Sequence, residues 1–454
     1  MNFRPKLYRD PVHGVIRYPR ADMPALDGDG IGELVVRLID TPEFQRLRHI
    51  RQNGLANYVF QGMEHSRYTH SMGVAHVAAQ MYDAAIRNSG ELPDEAERCR
   101  VVCAALLHDC GHGPFSHTLE EVLGKGPSSF HHEYITTRYI RDNGSSINAA
   151  LAEVDSDLPE EVAAYIDPAR RAGDDKWTYR LVSSQLDADR LDYAMRDALM
   201  AGLQGHGFDY PRIRDMLLAQ ESKLCVDCRA LDAVVQYLVA LDNLYRSIYY
   251  HHAVRAAACL MIGLFSRIRD LVDDGRDDVL ATGSPLWGLF ESGEKMPLDE
   301  YSQIGEYAIW SAVCDWQSHS DSVLARLAQS LMSRRLPKPL RVPLPADYEQ
   351  KKVESLQAAI DDLARKNGFD PRYEVSWDDP QRTAYKRHNF RREEGDPDVI
   401  WIVGPDKLYP LEHFPCDTSR KDLLKALEGP HYHSRLFVPD EIRVRAEALA
   451  EKGA

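Results

Sequence analysis

His70, the adjacent pair His108-Asp109, and Asp189 constrain this chain more than any other feature. Three further histidines, His112, His117 and His132, follow the central pair. Imidazole and carboxylate are the ligands of Zn, Mn, Fe, Ni and Co, and carboxylates also suit Mg. A fold that used these residues as one set has to bring distant stretches to a single point. Neighbours on a regular helix point about 100° apart, so His108 and Asp109 can share an ion only at a helix end. Gly111 marks that end, because glycine favours the left-handed position after a helix. His70 is expected on the preceding long helix and Asp189 at the start of a later one, with four helices converging on one ion as in bundle cores.

Taken singly, each residue has an ordinary explanation. A lone histidine on an apolar helix is usually a core or surface residue, and Asp189 alone would be a charge favoured by a helix N-terminus. The joint pattern favours the set. The run from His108 to His117 (HDCGHGPFSH) holds three histidines around two glycines.

A chain of 454 residues is long for one core, so two or three domains, or a large helical body with an appendage, are expected. The fold class reads as mainly α. Residues 1–30 read as a strand-and-turn arm, punctuated by Asp10-Pro11 and Gly14. Leu34, Val35, Leu38 and Ile39 then form one apolar helical face. Thr41 and Pro42 restart a helix as N-cap and first residue, with Phe44, Leu47 and Ile50 inside. Further helices are predicted over 68–86, 98–108, 130–140 and 188–203, and one or two over 227–264. Residues 210–228 read as a hairpin, and the acidic stretch 267–300 as a surface excursion. Pro337, Pro339, Pro343 and Pro345 mark a linker. After it come a helix over 352–366 and strands over 399–403 and 407–414. The predicted division is an arm (1–30), a helical core (31–340) and a small α+β C-terminal domain (341–454).

The formal charge of −15 argues against nucleic acid as the main partner, but not against a local anion pocket. The eight cysteines are irregularly spaced, which fits reduced thiols. Cys225 and Cys228 form a lone C-x-x-C, better read as strand or turn than as zinc ligands. The N-terminus shows no apolar leader, and no run of about 18 apolar residues suggests a membrane span. A cytoplasmic location is expected.

Five segments carry a resemblance to a known family: Asp10–Gly14 (DPVHG), Asp40–Arg48 (DTPEFQRLR), His65–Val74 (HSRYTHSMGV), the run His108–His117, and Asp187–Asp197 (DADRLDYAMRD). Over roughly residues 6–255 the chain resembles the HD-domain deoxynucleoside triphosphate triphosphohydrolases, in the branch of the sterile-alpha-motif and HD-domain enzyme and its bacterial relatives. The resemblance implies an HD-type helical core and a divalent metal ion (Mn, Fe, Zn, Ni, Co or Mg) on His70, His108, Asp109 and Asp189. It places His112, His117 and His132 at the reaction centre. Glu120, one turn after His117 where the family has Asp, would orient that imidazole; the alternative is an exposed helix glutamate. Arg67 and Arg190 match phosphate-contacting cations. Tyr193 and Asp197 match substrate-lining positions, and Gln52 with Tyr249 the pair that reads the sugar and favours deoxyribose.

One departure stands out: the family commonly has a phosphate-contacting Arg near position 241, where this chain has Leu241 and Asp242. Arg246 lies on a different helical face. The resemblance further implies an activating nucleotide (GTP or a dNTP) between subunits of a homo-oligomer. It would be held by Lys6, Asp40, Gln45 and Arg48, with Arg212 and His252 in a second pocket; alternatively Asp40 ends a helix and Arg48 is a solvated charge. The expected reaction releases deoxynucleoside and intact triphosphate. The competing readings are a phosphodiesterase or nucleotidase acting on another nucleotide, cyclic or oligomeric, and a nucleotide-binding protein with a degenerate site. Control of dNTP pools and antiviral dNTP depletion during phage infection would use the same active site.

Overall fold

Asp10 closes the first turn of the chain: its Oδ1 accepts the backbone N–H groups of Val12 and His13 at 2.8 and 2.9 Å. The turn joins β1 (Lys6–Asp10) to β2 (Gly14–Tyr18) in an antiparallel hairpin, with Lys6 opposite Tyr18 and Asp10 opposite Gly14. Gly14 has φ +74°, a conformation glycine adopts without steric cost. The structure, a computed structural model, describes residues 5–18, 31–124, 130–167, 176–205, 207–340, 350–379, 399–428 and 434–453. Pro343, Pro345 and the remainder of the predicted arm lie outside these.

Helices dominate the described residues, and the fold is mainly α with a small α+β region toward the C-terminus. The helix Arg67–Ser89 is the axis. It packs against the helices Glu95–Leu107 and Ala188–Met200. Because neighbours surround it, it buries residues on most of its faces, His70, Ser71, Gly73, Val77 and Met81 among them. Gly90 ends it in the left-handed conformation, φ +68°. The helix Ile31–Ile39 buries Leu34, Val35, Leu38 and Ile39. The short helix Pro42–Gln45 starts on Thr41, whose side chain accepts from Phe44 N.

β3 (Leu217–Gln220) and β4 (Lys223–Asp227) form the predicted hairpin. β4 then pairs in parallel with β7 (Trp401–Val403), Val226 opposite Ile402, and β7 pairs antiparallel with β8 (Leu408–Pro410). β5 (Lys338–Pro339), β9 (Arg435–Val438) and β6 (Ser376–Asp378) make a third sheet. Residues after 340 thus share sheets with residues before it. Ile400, Ile402, Leu411 and Phe437 belong to the main core. Leu356, Ile360, Val375, Leu436 and Ile442 form a second, smaller one.

Two local expectations are corrected, and one open reading is decided. The helix carrying His108 stops at Leu107, with His108 itself as a right-handed C-cap, and Gly111 is not left-handed. Its reason is space: a Cβ there would sit 2.1 Å from the His132 carbonyl oxygen and 2.5 Å from Thr136 N. The stretch 227–264 divides into the helices Leu231–Leu244 and His252–Asp273, joined by a π-helical turn, Tyr245–Tyr249. The acidic stretch is not all surface, because the helix Pro285–Ser292 buries Trp287, Leu289 and Phe290. The aspartates before it masked that apolar face. Cys225 is buried in β4 and Cys228 lies in the turn after it, and both thiols are free.

Candidate metal centre and substrate pocket

Three helices, not four, deliver the metal-type residues. His70 projects from Arg67–Ser89, His108 and Asp109 follow the end of Glu95–Leu107, and Asp189 sits in the first turn of Ala188–Met200. Ligand atoms of His70, His108 and Asp109 all lie within 4.8 Å of one another. Asp189 Oδ1 joins them, 2.9 Å from His70 Nε2 and 3.8 Å from His108 Nε2.

The donor set fits a divalent ion. His108 Nδ1 is taken by the Ala105 carbonyl at 2.8 Å, and its buried Nε2 has no hydrogen-bond partner. His70 Nδ1 lies 2.8 Å from Asp192 Oδ2, which again leaves Nε2 toward the carboxylates. Burial alone would lower the His70 pKa, but hydrogen bonds to Asp189 and Asp192 outweigh it and raise it to about 10. A proton held that strongly marks a place where the surroundings demand positive charge. An ion there would take its place.

Asp109 is buried, and Arg67 Nη1 donates to its Oδ2 at 2.5 Å. Burial would raise its pKa, yet Arg67, His108 and His112 hold it well below the usual carboxylate range. Arg67 Nε also donates to Ser116 Oγ at 2.8 Å. That bond helps hold a strained turn, since Phe115 and Ser116 both have positive φ, 58° and 50°, a state that costs a few kcal/mol and gathers at functional sites. The turn delivers His117 to the cavity.

A second cluster adjoins the first. Glu120 Oε2 is 2.8 Å from His117 Nδ1, and its Oε1 is 2.6 Å from His132 Nδ1 and accepts the His132 backbone N–H at 3.0 Å. The Glu120 side chain is only 14% exposed, so it is not a solvated helix glutamate. Burial opposes its charge, but His117 and His132 hold its pKa far below normal. The His112 and His132 rings stack with centroids 3.7 Å apart. Burial, with Arg67 nearby, keeps His112 neutral by lowering its pKa well below normal.

Both clusters open on one cavity of 650 Å³, the size range of small-molecule sites. Gln52, Arg67, His108, Asp109, His112, His117, His132, Asp189, Arg190, Tyr193, Asp197 and Tyr249 all line it. His70 lies behind this wall, fully buried. Tyr249 donates to Asp197 Oδ2 at 2.5 Å, and His65 Nε2 meets Asp197 Oδ1 at 2.8 Å.

Arg246 does not line the cavity and binds Asp242 at 2.7 Å. Arg255 does line it, held by Asp378 of β6. The sequence reading missed Arg255, whose one signal is a charge within an apolar helix. It also missed Asp192, although its spacing from Asp189 places the two within one helical turn.

Lys6, Asp40, Gln45 and Arg48 gather away from this cavity. Lys6 pairs with Asp40 at 2.9 Å, Arg48 Nε donates to Gln45 Oε1 at 2.7 Å, and the Arg48 guanidinium lies 3.6 Å from the Tyr68 ring centroid. All four act on the Tyr68 hydroxyl, whose pKa is raised chiefly by burial. Arg212 and His252 are exposed and do not join them; Arg212 binds the Arg229 carbonyl at 3.1 Å. No helix among the described residues is long and apolar enough to cross a membrane.

Residues 67–194 match the HD domain family. The chain is 30% identical over 391 residues to the uncharacterized protein YwfO of Bacillus subtilis, covering 86% of this chain and 83% of that one. It is 27% identical over 301 residues to a deoxynucleoside triphosphate triphosphohydrolase SAMHD1 homolog of Dictyostelium discoideum, and 28% identical over 298 residues to human SAMHD1. These cover 64% and 59% of this chain, and the chain spans only 55% and 45% of those two relatives. A phosphohydrolase crystal structure from Bacteroides thetaiotaomicron superposes with a TM-score of 0.74 at 24% identity, over 96% of this chain and all of that one, and shows the same fold. The matched HD segment contains the whole metal-type set, and this chain belongs to the HD-domain phosphohydrolases.

Proposed function

We propose that this protein hydrolyses deoxynucleoside triphosphates to deoxynucleoside and triphosphate, with a divalent ion on His70, His108, Asp109 and Asp189. The observation that carries the reading is the shared cavity: His108, Asp109, Asp189, Arg67, Arg190 and the Tyr249–Asp197 pair line one space, with His70 directly behind its wall. The relatives named as triphosphohydrolases support the substrate class. A bound ion supplies Lewis acidity and an acidified water. Arg190 and Arg67 would hold phosphate oxygens. Water attacks the α-phosphorus, the bond to the 5′-oxygen breaks, and His117 protonates that oxygen while Glu120 orients the ring through Nδ1. Tyr249, fixed by Asp197, would pack against C2′ and disfavour a 2′-hydroxyl.

Lys6, Asp40, Gln45 and Arg48 would receive an activating GTP or dNTP and couple it to homo-oligomer formation. The second pocket at Arg212 and His252 belongs to the same proposal. The test is incubation with each dNTP and Mn²⁺, with and without GTP, and chromatography of the products. Intact triphosphate is expected; pyrophosphate or single phosphate would reject the reading. One observation favours the phosphodiesterase alternative: with Leu241 buried and Arg246 turned to Asp242, neither supplies the phosphate cation expected near position 241. Turnover of cyclic or oligomeric nucleotides, with none of dNTPs, would establish it.

A further inference from the structure

The turn of the N-terminal hairpin lies outside the residues matched to the HD domain, yet its side chains end beside the metal centre. His13 Nε2 is 2.6 Å from Asp192 Oδ1. The other oxygen of that carboxylate, Oδ2, is 2.8 Å from His70 Nδ1. Arg196 spans both oxygens of Asp192, at 2.8 and 2.9 Å, and its Nη1 donates to Asp10 Oδ2 at 2.9 Å. Asp10 is the same residue whose other oxygen closes the turn. Every side chain in this chain of contacts is nearly inaccessible, His13 and Asp10 at 5% and the rest at 0%.

The helix Arg67–Ser89 leaves room for the network. A Cβ at Gly73 would stand 2.0 Å from Asp192 Oδ1 and 2.4 Å from Arg196 Nη2. Only a residue without a side chain lets the carboxylate approach the backbone one turn after His70. The Asp192 carboxylate therefore has its four contacts assigned: two to Arg196, one to His13 and one to His70.

We infer that His13 and Asp10 are positioning residues of the metal centre, which they reach through Asp192 and His70. This rests on the metal reading of the site. A hydrogen-bond acceptor on one ring nitrogen of a metal-binding histidine fixes its tautomer and its orientation, and loss of such a partner typically weakens metal binding 10–100-fold. Here the acceptor is itself braced from the far side by the hairpin. Without His13, one oxygen of Asp192 loses a partner. The carboxylate can then rotate about its remaining contacts and carry the His70 ring with it.

The experiment is titration of chelator-stripped protein with Mn²⁺ alone, following free Mn²⁺ by electron paramagnetic resonance, with no substrate present. His13→Ala should weaken Mn²⁺ binding by about 10-fold or more. His13→Gln, whose amide can still donate to Asp192, should recover most of the loss. Leu7→Ala, at an exposed position of the same hairpin, should match the parent. Asp10→Asn keeps the turn's acceptor and removes the charge facing Arg196; it supplies the measurement if His13→Ala does not fold, and should weaken binding in the same direction. Equal Mn²⁺ affinity in the parent, His13→Ala and Asp10→Asn would overturn the inference while leaving the metal centre intact. A parent protein that takes up no Mn²⁺ would remove the centre and the inference together.

Discussion

Glu120 illustrates how far a single side chain can be read. Its place one turn after His117 predicts contact with that imidazole, and the contact is there at 2.8 Å. The bond to His132, twelve residues on, is a tertiary event that no spacing announces. Glutamate's extra methylene lets one carboxylate bridge both rings. Glu120→Gln should therefore lower kcat by about 100-fold, the scale of a mispositioned general acid, with KM and metal content nearly unchanged. A large KM effect with kcat preserved would show that Glu120 serves binding instead. His70→Ala or Asp109→Ala should lose both hydrolysis and bound metal, checked by elemental analysis beside the assay. The metal-type residues were legible because their chemistry is rare in apolar helices. Asp192 and Arg255 were not, because acids and bases on helices are common and only the assembled fold shows Asp192 buried and Arg255 facing the cavity.

At the scale of elements, the helices that carry the metal-type residues, Arg67–Ser89, Glu95–Leu107 and Ala188–Met200, were predicted to within a few residues, since apolar periodicity is local, whereas helices such as Glu306–Trp316 and Ser322–Met332 were not predicted. Gly111 shows the limit. Its presence after a helix suggested a left-handed cap, whereas its actual constraint is the approach of the helix His132–Arg141, which lies far along the chain. Gly111→Ala would press a methyl against backbone atoms that cannot move independently. We expect a loss of about 2–4 kcal/mol in urea unfolding, typical of overpacking at a rigid contact, together with reduced activity, because His132 sits at that contact. A loss below about 0.5 kcal/mol, the level of a neutral surface change, would mean the two segments separate easily. The π-helical turn Tyr245–Tyr249 was likewise invisible in the sequence. It closes on a Tyr250 N–H to Tyr245 carbonyl bond of 2.8 Å and lies in the wall that carries Tyr249.

For the whole molecule, stability should depend on pH through His76. Burial, with His13 close by, lowers its pKa to about 4 from 6.5. A histidine depressed in the folded state contributes stability that is complete above pH 6.5 and is lost as pH falls through 4, because the unfolded chain takes up the proton first. The full contribution is about 3 kcal/mol at most. His76→Gln should flatten the stability curve between pH 6.5 and 4, measured by urea unfolding at each pH. Parallel curves for the two proteins would refute it.

The parallel pairing of β4 with β7 has its own consequence for handling this protein. β7 covers one side of β4, whose Cys225 and Val226 are buried. A fragment ending at residue 340 would leave that strand with a bare row of N–H and C=O groups beside apolar side chains. Unprotected edges of this kind recruit other chains. Such a fragment, although it would retain the entire metal-type set, should form light-scattering aggregates at concentrations where the full chain stays clear.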